Sequence, residues 1–144
     1  NFGIQADGVS KTREAFPVIL QRIQDAKLRN VRLRGDVDIN RLPFPSAKTL
    51  PLRNTQEGYD FILNTGFDLK TLPQDMRSQL KEAARVAKYG CQIIWGVTGE
   101  YDFSDLINYA KNELELTYLN QTVEQNCSME KCHSIQFVKE QRTH

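Results

Sequence analysis

Tyr59-Asp60-Phe61-Ile62-Leu63-Asn64-Thr65-Gly66-Phe67-Asp68-Leu69-Lys70 is the stretch on which the fold of this 144-residue chain turns. Two apolar-rich runs flank Asn64-Thr65-Gly66, a three-residue turn with Gly where a left-handed residue is often needed. The stretch therefore predicts a β-hairpin. Side chains alternate along a strand, so Phe61, Leu63, Phe67 and Leu69 share one face and Asp60, Asp68 and Lys70 the other. A register centred on Thr65 sets Lys70 opposite Asp60 and Asp68 opposite Ile62. Two carboxylates and an ammonium on one ribbon are the minimum kit for a divalent metal beside a phosphate. The same residues also make an ordinary cross-strand ion pair on a solvated face.

Downstream, Leu72-Pro73 starts a helix over 73–89, with Asp75 in its first turn. Leu72, Met76, Leu80, Ala83 or Ala84, and Ala87 form its apolar stripe, and Gly90 closes it. Cys91 to Val97 is a continuous apolar run, a strand covered on both faces with Trp95 in the core. A helix follows over 103–117, buried through Leu106, Ala110 and Leu114. Residues 119–132 are polar and read as irregular, and His133–Lys139 as a last edge strand. Upstream, residues 1–9 are a loose lead-in. A helix covers 11–28, and Pro17 draws its start toward residue 16. Asn30–Ile39 alternates as a half-buried strand with Gly35 as a bulge. Pro43 and Pro45 mark a loop, Lys48–Arg53 a short strand demoted by Pro51, and 54–58 a turn.

The order predicts an α/β (α+β) fold: a mixed sheet with an antiparallel meander and one parallel crossover strand, flanked by helices. The length predicts a single domain over 1–144, with a core at about 10–117 and an irregular tail at 118–144. No apolar run is long enough to span a membrane, and the first residues hold no signal peptide. Net charge is +1, but residues 1–54 carry 10 Lys+Arg against 5 Asp+Glu. A local basic stripe can hold phosphates on a nearly neutral molecule; its bland alternative is a solvated helix end and strand face. Cys91, Cys127 and Cys132 are too few for a disulfide scaffold, and with His133 the last two fit no zinc spacing.

Asp60, followed by Asp68-Leu69-Lys70 just before a crossover helix, resembles the restriction-endonuclease-like superfamily of PD-(D/E)xK nucleases. The resemblance spans roughly residues 12–97. It implies a divalent-metal-dependent nuclease acting on DNA or RNA, with Asp60, Asp68 and Lys70 catalytic. Asp60, Asp68 and Glu14 would hold Mg²⁺ or Mn²⁺. Arg32, Arg34, Arg41 and Lys81 would hold the nucleic-acid backbone. By analogy of architecture the chain is similar to toxin domains of bacterial competition systems, which would imply an immunity-protein partner and action in the cytoplasm after delivery. Two other functions share these residues: a non-catalytic α/β interaction module, and a metal-independent ribonuclease using His133 or His144.

Overall fold

A computed structural model describes residues 5–10, 13–14, 16–50, 55–67, 73–98, 102–127 and 130–141. The chain forms two compact units, Asn1–Pro43 and Phe44–His144.

The first unit is a strand–helix–strand: β1 (Ala6–Val9), α1 (Phe16–Asp25) and β2 (Val31–Arg34). The strands are parallel, from Ala6↔Val31 to Val9↔Arg34. The expected loose lead-in is thus a strand. Asp7 and Gly8 are poor strand formers, but backbone pairing to β2 and the contact of Asp7 with Arg32 hold them, Arg32 Nε donating to Asp7 Oδ1 at 2.9 Å. α1 begins at Phe16 with Pro17 in its first turn, as expected. It ends in a Schellman arrangement: Leu28 N donates to Ile23 O at 3.1 Å and Lys27 N to Gln24 O at 3.0 Å. Lys27 takes the left-handed position that glycine usually fills, at φ 56°. The strand expected over 30–39 stops at Arg34, because Asp36 turns left-handed (φ 56°) directly after Gly35.

The second unit holds β3 (Lys48–Leu50), β4 (Thr55–Glu57), β5 (Tyr59–Phe67), α2 (Pro73–Val86), β6 (Ala87–Thr98), α3 (Ser104–Glu113), β7 (Leu116–Cys127) and β8 (Glu130–Lys139). β3 and β4 form an antiparallel pair. The other strands make a four-stranded sheet in the order β5-β6-β8-β7. β5 runs parallel to β6 through the α2 crossover, and β8 runs antiparallel to both β6 and β7. The mixed α/β architecture and its parallel crossover match the sequence expectation.

Three readings are corrected. Residues 59–67 form one continuous strand, not a hairpin; Thr65-Gly66 falls at a register shift between Asn64 and Phe67, so the glycine serves a bulge and not a chain reversal. Residues 119–132, expected to be irregular, lie mostly in β7 and β8. β8 is an interior strand, not an edge.

The core of this unit lies between the sheet and its two helices. Met76, Leu80, Ala83 and Ala84 of α2 and Leu106 and Ala110 of α3 bury against Ile93 and Trp95 of β6 and Ile135 and Phe137 of β8. The α2 stripe at i, i+4, i+7 and i+8 explains why that helix forms there. Its carboxyl end is closed by Lys139, whose Nζ donates to Ala84 O and Ala87 O, both at 2.8 Å. At α3 the Asp102 carboxylate accepts from Ser104 N at 2.9 Å and Ser104 Oγ at 2.6 Å. These bonds lower the Asp102 carboxyl below its ordinary value.

Candidate functional site

In open parallel sheets, ligands bind beyond the carboxyl ends of the strands, beside the amino ends of the following helices. The first unit has a cleft at that place. Its volume is about 390 Å³, and Arg13, Phe16, Leu33, Arg34, Gly35, Val37 and Pro43 line it. That volume lies in the range of small-molecule sites.

Each wall has a local cause. Ser10 N donates to Arg34 O and Val37 N to Ser10 O, both at 3.0 Å, tying the two strand ends together. Asp36 takes a left-handed backbone between the lining residues Gly35 and Val37. Arg13 Nε donates to Asp36 Oδ2 at 2.9 Å. Gly35 is required beneath that pair: a Cβ there would lie 2.3 Å from Arg13 Cγ and 3.1 Å from Phe16 Cζ. Phe16, Leu33, Val37 and Pro43 give apolar walls, Arg13 and Arg34 add charge, and Asp36 reaches the site through its pair with Arg13. Further along, Asn40 N donates to Asp38 Oδ1 at 2.9 Å, which leaves Asp38 occupied in its own turn.

The residues singled out from sequence fall in several places. Asp60 is on β5, and Lys88 Nζ of β6 donates to its Oδ1 at 2.9 Å. Among the described residues its partner is therefore across the parallel pair; the expected partner Lys70 lies outside them. Asp68 and Lys70 lie outside the described residues, as does His144. Glu14 is exposed in the turn before α1, and Lys81 is exposed on α2. Arg32 and Arg34 share one face of β2, and Arg41 is exposed beyond it. Among the described residues no three His, Cys, Asp or Glu side chains converge to hold a metal ion. Both ring nitrogens of His133 are buried with no hydrogen-bond partner among the described residues.

The sequence reading missed Arg13, Phe16, Leu33, Gly35, Val37 and Pro43 as site residues. Their signal was present: Ser10 ends one short strand, Gly35-Asp36 ends another, and an amphipathic helix lies between them. Two strand ends joined through a helix define a parallel βαβ unit and hence the cleft.

No protein-family model matches the chain, and no curated protein matches its sequence. Solved structures do match. An S-adenosylmethionine-dependent methyltransferase from Clostridium acetobutylicum superimposes with a TM-score of 0.69 at 11% identity, covering 96% of this chain and 76% of that one. One from Methanosarcina mazei gives 0.68 at 13% identity, covering 95% and 83%. An rRNA methylase from Streptococcus thermophilus gives 0.60 at 12% identity, covering 95% and 88%. This likeness overturns the nuclease reading. The strands around the Asp60 stretch are parallel and not a meander, and the toxin and hydrolase assignments, the Mg²⁺ or Mn²⁺ site and the immunity-protein partner fall with that reading. The chain has the Rossmann-like α/β fold that these methyltransferases share.

Proposed function

We propose that this chain belongs to an S-adenosylmethionine-dependent methyltransferase and that the cleft of the first unit takes the adenosyl end of that cofactor. The observation that carries this reading is the cleft itself, at the carboxyl ends of two parallel strands joined by a helix. Its chemistry fits an adenine ring. Phe16, Leu33, Val37 and Pro43 offer flat apolar contact, and the Asp36 carboxylate, held beside the lining residue Arg13, can accept from the exocyclic amine, which is a donor. No Gly-x-Gly pair occurs in the 144 residues. A phosphate-cradling turn is not required here, because S-adenosylmethionine carries no phosphate. When bound, the cofactor supplies an electrophilic methyl group on a sulfonium. The residues of this chain would orient the adenine and exclude water from its faces, with Asp36 keeping Arg13 on Oδ2 and offering its other oxygen to the amine.

For the methyl acceptor we infer a nucleic acid. Residues 1–43 carry 8 Lys+Arg against 5 Asp+Glu, with Arg32 and Arg34 on one strand face. A solved structure of this fold is an rRNA methylase. Arg32 is 70% exposed even while paired to Asp7, so its guanidinium is accessible to a phosphate. The function is tested by titration calorimetry with S-adenosylmethionine and S-adenosylhomocysteine. Saturable binding that weakens about tenfold in Asp36→Ala is expected, in line with one lost hydrogen bond to a charged group. Absence of heat with both ligands, or an unchanged affinity in Asp36→Ala, would overturn the site.

A further inference from the structure

Arg13 and Asp36, both within the first unit, form an ion pair at the cleft, Arg13 Nε donating to Asp36 Oδ2 at 2.9 Å. An exposed pair of this kind contributes little to stability. The backbone is nevertheless shaped around it. Asp36 stands in the left-handed region at φ 56°, where residues other than glycine are uncommon. Residue 35 has to be glycine, since a Cβ there would lie 2.3 Å from Arg13 Cγ and 3.0 Å from Arg13 Nε. The stem of Arg13 thus lies directly over Gly35, and Arg13 is itself a wall of the cleft together with Phe16 and Val37. An unusual backbone conformation that fixes two charged groups beside a cleft points to a use in binding.

The hydrogen-bonding capacity left over names that use. Among the described residues, the terminal nitrogens of Arg13 and the Oδ1 of Asp36 make no hydrogen bond. Two backbone donors nearby are already spent, Val37 N on Ser10 O and Ser10 N on Arg34 O. A guanidinium only donates and a carboxylate only accepts. Held together, the pair presents one donor beside one acceptor. The Watson–Crick edge of adenine carries the complementary pattern, an amine that donates beside ring atom N1 that accepts. Hypoxanthine carries the reverse, a carbonyl that accepts beside an N1–H that donates. Building on the adenosyl reading of the cleft, we propose that Arg13 is a specificity-determining residue. A terminal N–H of its guanidinium donates to adenine N1 while Asp36 Oδ1 accepts from the amine, so the two side chains read the base together.

The test is titration calorimetry with three ligands: S-adenosylhomocysteine, its 1-deaza analogue, in which a C–H replaces N1 and the amine is kept, and S-inosylhomocysteine. The native chain is compared with Arg13→Met, which keeps an unbranched stem and has no donor. The native chain is expected to bind S-adenosylhomocysteine about tenfold more tightly than the 1-deaza analogue, and about 100-fold or more above the inosyl ligand. Arg13→Met is expected to bind S-adenosylhomocysteine about tenfold more weakly and no longer to distinguish it from the 1-deaza analogue. An unchanged urea midpoint shows that the variant is folded. Equal affinity of the native chain for S-adenosylhomocysteine and the 1-deaza analogue would overturn the role of Arg13 and leave the adenosyl site standing. So would an Arg13→Met variant that weakens both ligands alike and still separates them tenfold, because that is the result of a merely structural role. Absence of binding of S-adenosylhomocysteine to the native chain would overturn the adenosyl site and this proposal together.

Discussion

Trp95, Phe103, Phe137, Met76 and Leu80 of the second unit are each at most 2% exposed, whereas no described residue of β1, α1 or β2 is fully buried. Each large side chain removed from water contributes roughly 1.5–3 kcal/mol. The second unit is held by many such terms. The first has half-buried contacts from Phe16, Ile19 and Ile23, a short parallel ladder, and exposed ion pairs such as Arg13–Asp36, both partners 69% exposed. Exposed pairs contribute about 0–1 kcal/mol. The difference teaches where binding energy goes. The cleft is built in the softer unit, so a ligand that binds only the folded form stabilises that unit by mass action. Local opening is expected there first, as for ligand-binding segments in general.

The largest break in this comparison comes from the core. Trp95→Ala is expected to cost about 3–5 kcal/mol in urea unfolding, while Ile19→Ala in α1 costs about 1 kcal/mol, because its site is already half open. Equal losses at the two positions would erase the distinction. Cys91 gives the next effect. Burial pushes its thiol up from 9.0 to about 11, with the Asp60 carboxylate adding to the shift. Two pKa units mean a roughly hundredfold smaller thiolate fraction at pH 8, so site-resolved alkylation of Cys91 should be at least that much slower in the native chain than in urea. The folded state keeps this proton where the unfolded state loses it, so the Cys91 contribution to stability falls as pH rises from 9 toward 11.

Lys139→Met should cost about 1–3 kcal/mol, since it removes the charged donor from the Ala84 and Ala87 carbonyls at the end of α2. Burial holds the Lys139 ammonium below its ordinary value. The unfolded chain then binds more protons between the folded value and 10.5, so this residue's contribution rises with pH across that window. The smallest effects are expected in the first unit. Lys27→Gly should stabilise it by about 0.5–1 kcal/mol by relieving the left-handed backbone at the end of α1. Thermal unfolding with and without S-adenosylhomocysteine would show whether that gain adds to the ligand's own.

Much of the second unit was legible because periodicity and burial agree there. Met76, Leu80 and Ala84 repeat at helical spacing, and Ile93-Ile94-Trp95 is apolar without a break; both segments fold as those patterns dictate. β7 was not legible. Asn120-Gln121-Thr122 and Glu124-Gln125-Asn126 are polar because the strand is an outer one, and ladder pairing to β8 overrides their composition. β5 misled for the opposite reason: a glycine that serves a bulge looks the same in sequence as one that serves a turn. The cleft was hidden because its residues are drawn from two strand ends and a helix start. Only the parallel pairing of a four-residue strand containing Asp and Gly brings them together. Gly35 was read as a bulge within a strand, and its actual use, making room for Arg13 over Phe16, depends on the tertiary approach of α1.

The β7–β8 pairing carries a consequence for the order of folding. Its strands are adjacent in sequence, with Cys127 opposite Glu130, whereas β6 must wait for β8 to arrive from beyond α3 and β7 before Gln92 meets Val138. Closing a hairpin takes about 1–10 μs, and long-range pairing is slower because loop entropy is lost before contacts form. The hairpin is thus expected to form before the interior of the sheet assembles on it. Substitutions along it should slow refolding, while those at the β5 edge should mainly hasten unfolding.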